Sequence, residues 1–371
     1  MKMQVNNLES LNTICPYFTM FPLSFPLGVL NRIGIQPERA VVDPFCGRGT
    51  SLYAARLNGL PSIGIDSSKI ATAITEAKIV EVSPEDIIVE ANYILNNRKD
   101  SIKLPEGEFW ELMYHREVLE KLCVFREEFL KDCSSPTRKA LRGIILGALH
   151  GPIPKTKFSY FSNQSPRTYS PKPKYAVRFW KRKGITPPKV DILKIIVERA
   201  FKYYKNTPPA VPSIVINGDS RDANIFETFA GRLKTGVIIT SPPYLGMSTY
   251  IADQWIRNWF LGGPDSVDYT AKNQIGFRNK SVFIEGLNKV WKNLELISDE
   301  KTVMVVRFGC LPSVYYPPAE LLAESFYGTK WRISKIESAG VPKNAFRQAN
   351  SFLQKKSEYK EEIDVWVRFT K

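Results

Sequence analysis

The hydrophobic patterning becomes regular at Val41-Val42, where a short apolar run leads into Asp43-Pro44-Phe45-Cys46-Gly47-Arg48-Gly49-Thr50. A helix-like stretch covers Ser51–Asn58, and a second apolar run, Ser62-Ile63-Gly64-Ile65, ends on Asp66. Strand, glycine-bearing turn, helix and strand in that order predict a βαβ unit. From about Pro84 the rhythm changes. Helical spacing covers Glu111–Lys131 and Arg138–Leu149, a proline-rich basic segment follows, and Val190–Tyr204 is helical again. From Ser213 the alternation of strand and helix returns. Strand-like runs are Ser213–Asn217, Gly236–Ile239, Thr302–Arg307, Trp331–Ile336 and Ile363–Phe369, with helical stretches at Ile251–Leu261 and Val282–Leu296. This predicts a mostly parallel sheet covered on both faces. The simplest account is one α/β core, residues 1–80 and 213–371, interrupted by an inserted region over 81–212.

Composition adds a partner class. Fifty-two Lys and Arg against 37 Asp and Glu leave a formal charge of +15, which points to polyanions, nucleic acid first and an anionic membrane surface second. A basic solvated face is the plainer alternative. Five scattered cysteines without a Cys-x-x-Cys pair argue against a disulfide framework and a structural zinc site. With only His115 and His150, a His-rich catalytic metal centre is not expected. No apolar run approaches the ~20 residues of a membrane span, and a soluble intracellular protein is expected.

The glycine turn sits where an open α/β sheet binds ligands, beyond the carboxyl end of a strand. Gly47 and Gly49 allow close backbone approach and positive φ. Asp66, ending the next strand, is placed to accept from ribose hydroxyls, and Asp219, after Ile214–Ile216, could meet an adenine amino group. A tight turn beside a surface Asp is the structural alternative. No Gly-Lys-Ser/Thr and no full Gly-x-Gly-x-x-Gly occurs here, so a ligand with ribose and adenine but no phosphates fits better. S-adenosylmethionine is such a ligand.

Val237-Ile238-Ile239-Thr240-Ser241-Pro242-Pro243-Tyr244 carries the second signal. An apolar strand runs into two prolines, which cannot continue a ladder and fix a rigid corner. Such a corner can aim the Ser241 hydroxyl and the Pro242 carbonyl into a pocket, with Tyr244 as an aromatic face. An exocyclic amino group is a poor nucleophile because its lone pair is delocalised into the base. Acceptors held against its two hydrogens free that lone pair by positioning and electrostatic preorganisation, and Tyr244 can stack on a flipped base.

Residues 151–190 hold ten Lys/Arg and no Asp or Glu, interleaved with seven aromatics and seven prolines. Candidates for nucleic-acid contact are Lys155, Lys157, Asn163, Gln164, Arg167, Lys172, Lys174, Arg178, Lys181 and Arg182. Cations neutralise phosphates and aromatics stack on unpaired bases. Asn163, Gln164 and Arg167 have the chemistry of base readout.

With these residues in place, the chain resembles the amino-methylating DNA methyltransferases, the N4-cytosine and N6-adenine enzymes. Asp43–Thr50 is similar to their cofactor motif, Gly218-Asp219-Ser220 to the element preceding the catalytic motif, and Thr240–Tyr244 to that motif itself. Tyr17–Pro22 is similar to the segment over the methionine end of the cofactor. The resemblance covers roughly 13–80 and 213–310. It implies an α/β, Rossmann-like seven-stranded methyltransferase sheet with an inserted target-recognition region, S-adenosylmethionine as cofactor and DNA as partner. A companion restriction or defence nuclease and a prokaryotic, nucleoid-associated cytoplasmic setting go with it. It implies Ser241, Pro242, Pro243 and Tyr244 as catalytic, and Phe21, Asp43, Phe45, Gly47, Gly49, Thr50, Asp66 and Asp219 as cofactor-binding. Arg48 departs from the family's usual small residue, and its side chain is expected to point away or meet DNA. The motif order, cofactor first and catalytic last, is permuted relative to many such enzymes. Thr-Ser-Pro-Pro-Tyr is more usual in the N4-cytosine group, so N4 of cytosine is preferred and N6 of adenine is the alternative. An RNA amino-methyltransferase and a silent DNA-binding module remain rivals. A C5-cytosine enzyme is set aside because no Pro-Cys dipeptide occurs.

Overall fold

The computed structural model describes residues 10–17, 21–97, 102–151, 160–163, 173–246, 254–267, 279–310, 316–340 and 362–370. They fall into two compact units. One comprises Met1–Tyr17, Glu76–Ala210 and Tyr250–Ala271; the other comprises Phe18–Thr75, Val211–Thr249 and Lys272–Lys371. The first differs from the expected insert by taking in both an N-terminal segment and the stretch after the proline corner.

The second unit holds a seven-stranded sheet: β1 (Ala40–Asp43), β2 (Ser62–Asp66), β3 (Ser213–Asn217), β4 (Thr235–Thr240), β5 (Val303–Phe308), β6 (Trp331–Gly340) and β7 (Glu362–Phe369). Their order is β3-β2-β1-β4-β5-β7-β6. The first five strands pair in parallel, and β7 runs antiparallel between β5 and β6. The central strands β1 and β4 are buried at every position. That is why they read as unbroken Val/Ile runs instead of alternating ones. Edge strands β3 and β6 expose Ile214 and Ile336.

The helix Lys280–Glu295 shows how sequence spacing builds the core. Leu287, Val290, Trp291 and Leu294 recur every three or four residues, share one face and are fully buried. Trp291 donates its indole N–H to the Ser325 hydroxyl at 2.9 Å, and its carbonyl accepts from Trp331 at 2.9 Å. Burying each such side chain contributes roughly 1.5–3 kcal/mol, and the paired polar atoms avoid a desolvation cost.

The first unit is helical. The helix Pro84–Asn96 begins at a capping box, with Ser83 and Asp86 exchanging hydrogen bonds and Pro84 in the first turn. The predicted helix Glu111–Lys131 is two helices, Glu108–Met113 and Arg116–Lys131, because Tyr114 and His115 take extended backbone angles between them. The proline-rich basic segment contains the helix Pro173–Lys183. Pro173 begins the helix, Gly184 follows it at φ 60°, and Pro187 and Pro188 lie beyond it. The helix expected over Ile251–Leu261 is described at Trp255–Phe260. Its Trp255 and Trp259 pack on Phe109 and Trp110, with centroids 4.9 and 4.6 Å apart. No described helix is long and apolar enough to cross a membrane.

Candidate active site

The strand order reverses between β1 and β4, so their carboxyl ends flank the crevice in which open α/β sheets hold ligands. The cofactor-like turn leaves β1 at this edge, and the Ser-Pro-Pro-Tyr corner leaves β4 beside it. Three hydrogen bonds tie the motifs together. Thr240, ending β4, donates its hydroxyl to Asp43 Oδ1 at 2.7 Å. The Gly47 N–H donates to Asp66 Oδ2 at 2.9 Å, and the Ser220 hydroxyl donates to the Pro44 carbonyl at 2.5 Å. Residues up to 197 positions apart thereby form one edge.

Asp43 is fully buried and accepts from the Ser51 and Thr240 hydroxyls and the Phe45 N–H. Burial dominates and pushes its carboxyl up to about 6, against those three hydrogen bonds, with the nearby Asp66 charge adding to the rise. Asp66 is half-buried, and its carboxyl is also raised, by burial, against hydrogen bonds from the Ser68 and Gly47 N–H groups. Asp66, the half-buried one of the two, keeps acceptor capacity that suits hydroxyls better than a phosphate.

The turn needs its glycines. Gly47 and Gly49 adopt φ of 52° and 73°, a region costly for side chains. A Cβ on Gly49 would lie 2.5 Å from Thr75 Cγ2, while one on Gly47 would meet no atom within 4 Å. Gly47 is thus the open point of the turn. Thr50 is buried in the first turn of its helix. Phe45 is partly buried, edge-on to Trp291 at 6.4 Å, and Phe21 is half-buried, edge-on to Phe25 at 5.1 Å. Asp219 is exposed, and an ion pair with Arg221 lowers its carboxyl.

At the corner Pro242 is buried, and Ser241, Pro243 and Tyr244 are half-buried. Tyr244 packs edge-on to Phe308 at 5.3 Å and donates its hydroxyl to Glu362 Oε1 at 2.8 Å. Burial first, then the negative charge of Glu362, holds that hydroxyl well above its ordinary range, keeping it a donor. Two residues along β7, Asp364 accepts both arms of Arg307 at 2.8 and 2.7 Å, and the Arg307 guanidinium lies 3.7 Å from the Phe25 ring centroid. Sequence pattern alone gives Glu362, Thr240 and Ser51 no role as partners. Arg307 was only noticeable as a cation ending an apolar strand.

In the other unit the expected contact residues divide. Lys174, Arg178, Lys181 and Arg182 are exposed on the helix Pro173–Lys183. Lys155, Lys157, Gln164, Arg167 and Lys172 lie outside the described residues. Asn163 is a correction. It is fully buried and donates its side-chain amide to the Leu112 carbonyl at 2.8 Å and the Ile185 carbonyl at 3.3 Å, so it braces the fold instead of facing a base. Arg48 is buried in the turn and presents no exposed cation.

No protein-family model matches the chain, and no curated protein matches it. Among solved structures it is similar to the rRNA methyltransferase aviRa from Streptomyces viridochromogenes, at 12% identity over 99% of this chain and 94% of that one, with a TM-score of 0.40. It is also similar to a geranyl diphosphate methyltransferase in complex with GPP and sinefungin. There identity is 8% over 93% of this chain and 77% of that one, with a TM-score of 0.37. The sheet is the expected α/β, Rossmann-like arrangement of seven strands, with β7 reversed between β5 and β6.

Proposed function

We propose that this protein transfers a methyl group from S-adenosylmethionine to the exocyclic amino group of a base in DNA, N4 of cytosine in preference to N6 of adenine. The observation that carries the reading is the Thr240–Asp43 hydrogen bond, which joins the glycine turn to the proline corner at the switch point of the sheet. Bound at this edge, S-adenosylmethionine supplies an electrophilic methyl carbon on a sulfonium.

The chain's own groups do the positioning. The turn from Asp43 to Gly49 leaves open backbone at Gly47 against the methionine end. Asp66, held by the Gly47 and Ser68 N–H groups, keeps lone pairs for ribose hydroxyls, and Asp219 accepts from the adenine amino group while sharing Arg221. Phe21, Phe45 and Thr50 shape and brace this half of the site. The Ser241 hydroxyl and the Pro242 carbonyl accept from the two amino hydrogens of the target base, and Tyr244 lies against the base plane. Holding the amine in that geometry directs its lone pair at the methyl carbon; the N–C bond would form as the C–S bond breaks, the thioether would leave and the nitrogen would give up one proton to water, with no covalent link to the protein.

The test is chemical. DNA incubated with the protein and methyl-labelled cofactor is digested to nucleosides and analysed by mass spectrometry. Labelled N4-methylcytosine is expected. Label in 6-methyladenine alone overturns the cytosine preference, and label in RNA but not in DNA overturns the substrate.

A further inference from the structure

The helix Pro173–Lys183 carries Lys174, Arg178, Lys181, Arg182 and Lys183 and no acidic residue. Ala176 and Trp180 are buried, Trp180 lies 5.6 Å from Phe109, and Lys181 pairs with Glu108. One side of the helix is therefore anchored in its own unit. On another side Tyr175, Arg178, Phe179 and Arg182 line an open groove. Their spacing of three, four and seven residues puts them on one face, and Tyr175 is 56% exposed. Large aromatic rings on an exposed, strongly cationic face bury no core and cost solubility.

We propose that this groove is a stacking platform for single-stranded nucleic acid, with Tyr175 and Phe179 lying on unpaired bases and Arg178 and Arg182 on the flanking phosphates. Charge complementarity selects a polyanion, and the exposed rings select which one. Guanidinium groups serve any phosphodiester backbone, duplex or not, but aromatic faces gain only from bases whose own faces are open. The seven-residue span covers about 10 Å of helix, room for about three stacked nucleotides. A lipid surface fits less well. With Ala176 and Trp180 already buried in protein, only the two rings Tyr175 and Phe179 are left to insert, short of the broad apolar face of a membrane-surface helix. The proposal deepens the nucleic-acid side of the function above by naming the strand state, and it assigns Tyr175 and Phe179 a role.

The test is binding without methyl donor, so it is read separately from catalysis. Fluorescence anisotropy of the full chain is measured with labelled 20-nucleotide RNA and DNA strands, the matching DNA duplex, and phosphatidylserine vesicles. The expected result is tighter binding of a single strand than of the duplex. Tyr175→Ala and Phe179→Ala each lose about ten-fold on the strand and under about two-fold on the duplex, and Tyr175→Phe restores binding. Arg178→Ala and Arg182→Ala weaken both and each lower the single-strand salt slope by about 0.7. The RNA and DNA arms identify which strand is preferred. Equal losses on strand and duplex, no loss in either aromatic variant with unchanged melting, or binding to vesicles alone overturns the platform. Strand binding without methylation of any base would sink the proposed enzyme and leave this inference standing.

Discussion

The carboxyl edge of the sheet and the helix Pro173–Lys183 use charge in opposite ways. At the edge, Asp43 is wholly buried, each of its oxygens is hydrogen-bonded, and it locks the glycine turn to the strand that feeds the proline corner. On the helix the cations stay exposed and alternate with aromatic rings. Burial turns charge into fixed geometry, because a carboxyl removed from water tolerates only the arrangement that satisfies it. Exposure turns it into reach, at modest energy and with strong salt dependence. A substitution at the edge should therefore change rate and stability, and one on the helix should change affinity alone.

The largest effect falls at the corner. Pro243→Ala and Tyr244→Ala should lower turnover by about 10²–10³-fold, while cofactor affinity by calorimetry stays within about two-fold. Unaltered turnover would remove the corner from the chemistry.

Next comes the pH signature of the buried carboxyl. Asp43 is raised to about 6 in the fold against about 3.9 unfolded. The folded state therefore holds this proton more tightly. The resulting stability is fully present below about pH 4, is lost as pH rises to about 6, and amounts to about 3 kcal/mol over the window. Asp43→Asn should flatten that part of the urea-denaturation profile. Parallel profiles for the two proteins would contradict it.

Thr240→Val keeps the shape but removes the hydroxyl that joins the two motifs. A loss of about 1–3 kcal/mol is expected, together with a fall in kcat larger than any change in KM. Smallest of all, Lys174→Ala on the basic helix should weaken strand binding by about two-fold at low salt and leave kcat alone.

Much of the sheet was legible. The Val/Ile runs of β1, β2 and β4 could be read because central parallel strands are apolar throughout, and Ser213–Asn217 was bounded as the structure has it. The glycine turn was legible too, since the positive φ of Gly47 and Gly49 leaves few residue choices. Long-range partners were not. Thr240 and Asp43, or Tyr244 and Glu362, meet across 197 and 118 positions, and no local pattern encodes such a meeting. The helix in the basic segment was not read from the sequence, although Pro173 stands in its first turn, where proline is well placed. Ser83-Pro84-Glu85-Asp86 carries an N-cap signature that hydrophobic spacing alone passes over. Asn163 shows the limit of reading chemistry from residue type. An amide suited to a base edge is equally suited to two backbone carbonyls, and only burial separates the uses.

Calorimetric titration of S-adenosylmethionine into the wild type, Asp66→Ala and Tyr244→Ala addresses the single-site account most directly. The account predicts binding to the wild type and to Tyr244→Ala alike, and a loss of about ten-fold or more in Asp66→Ala, where a carboxylate that accepts from ribose is gone. Equal binding by all three, or none by the wild type, would contradict a cofactor site at the β1–β4 edge.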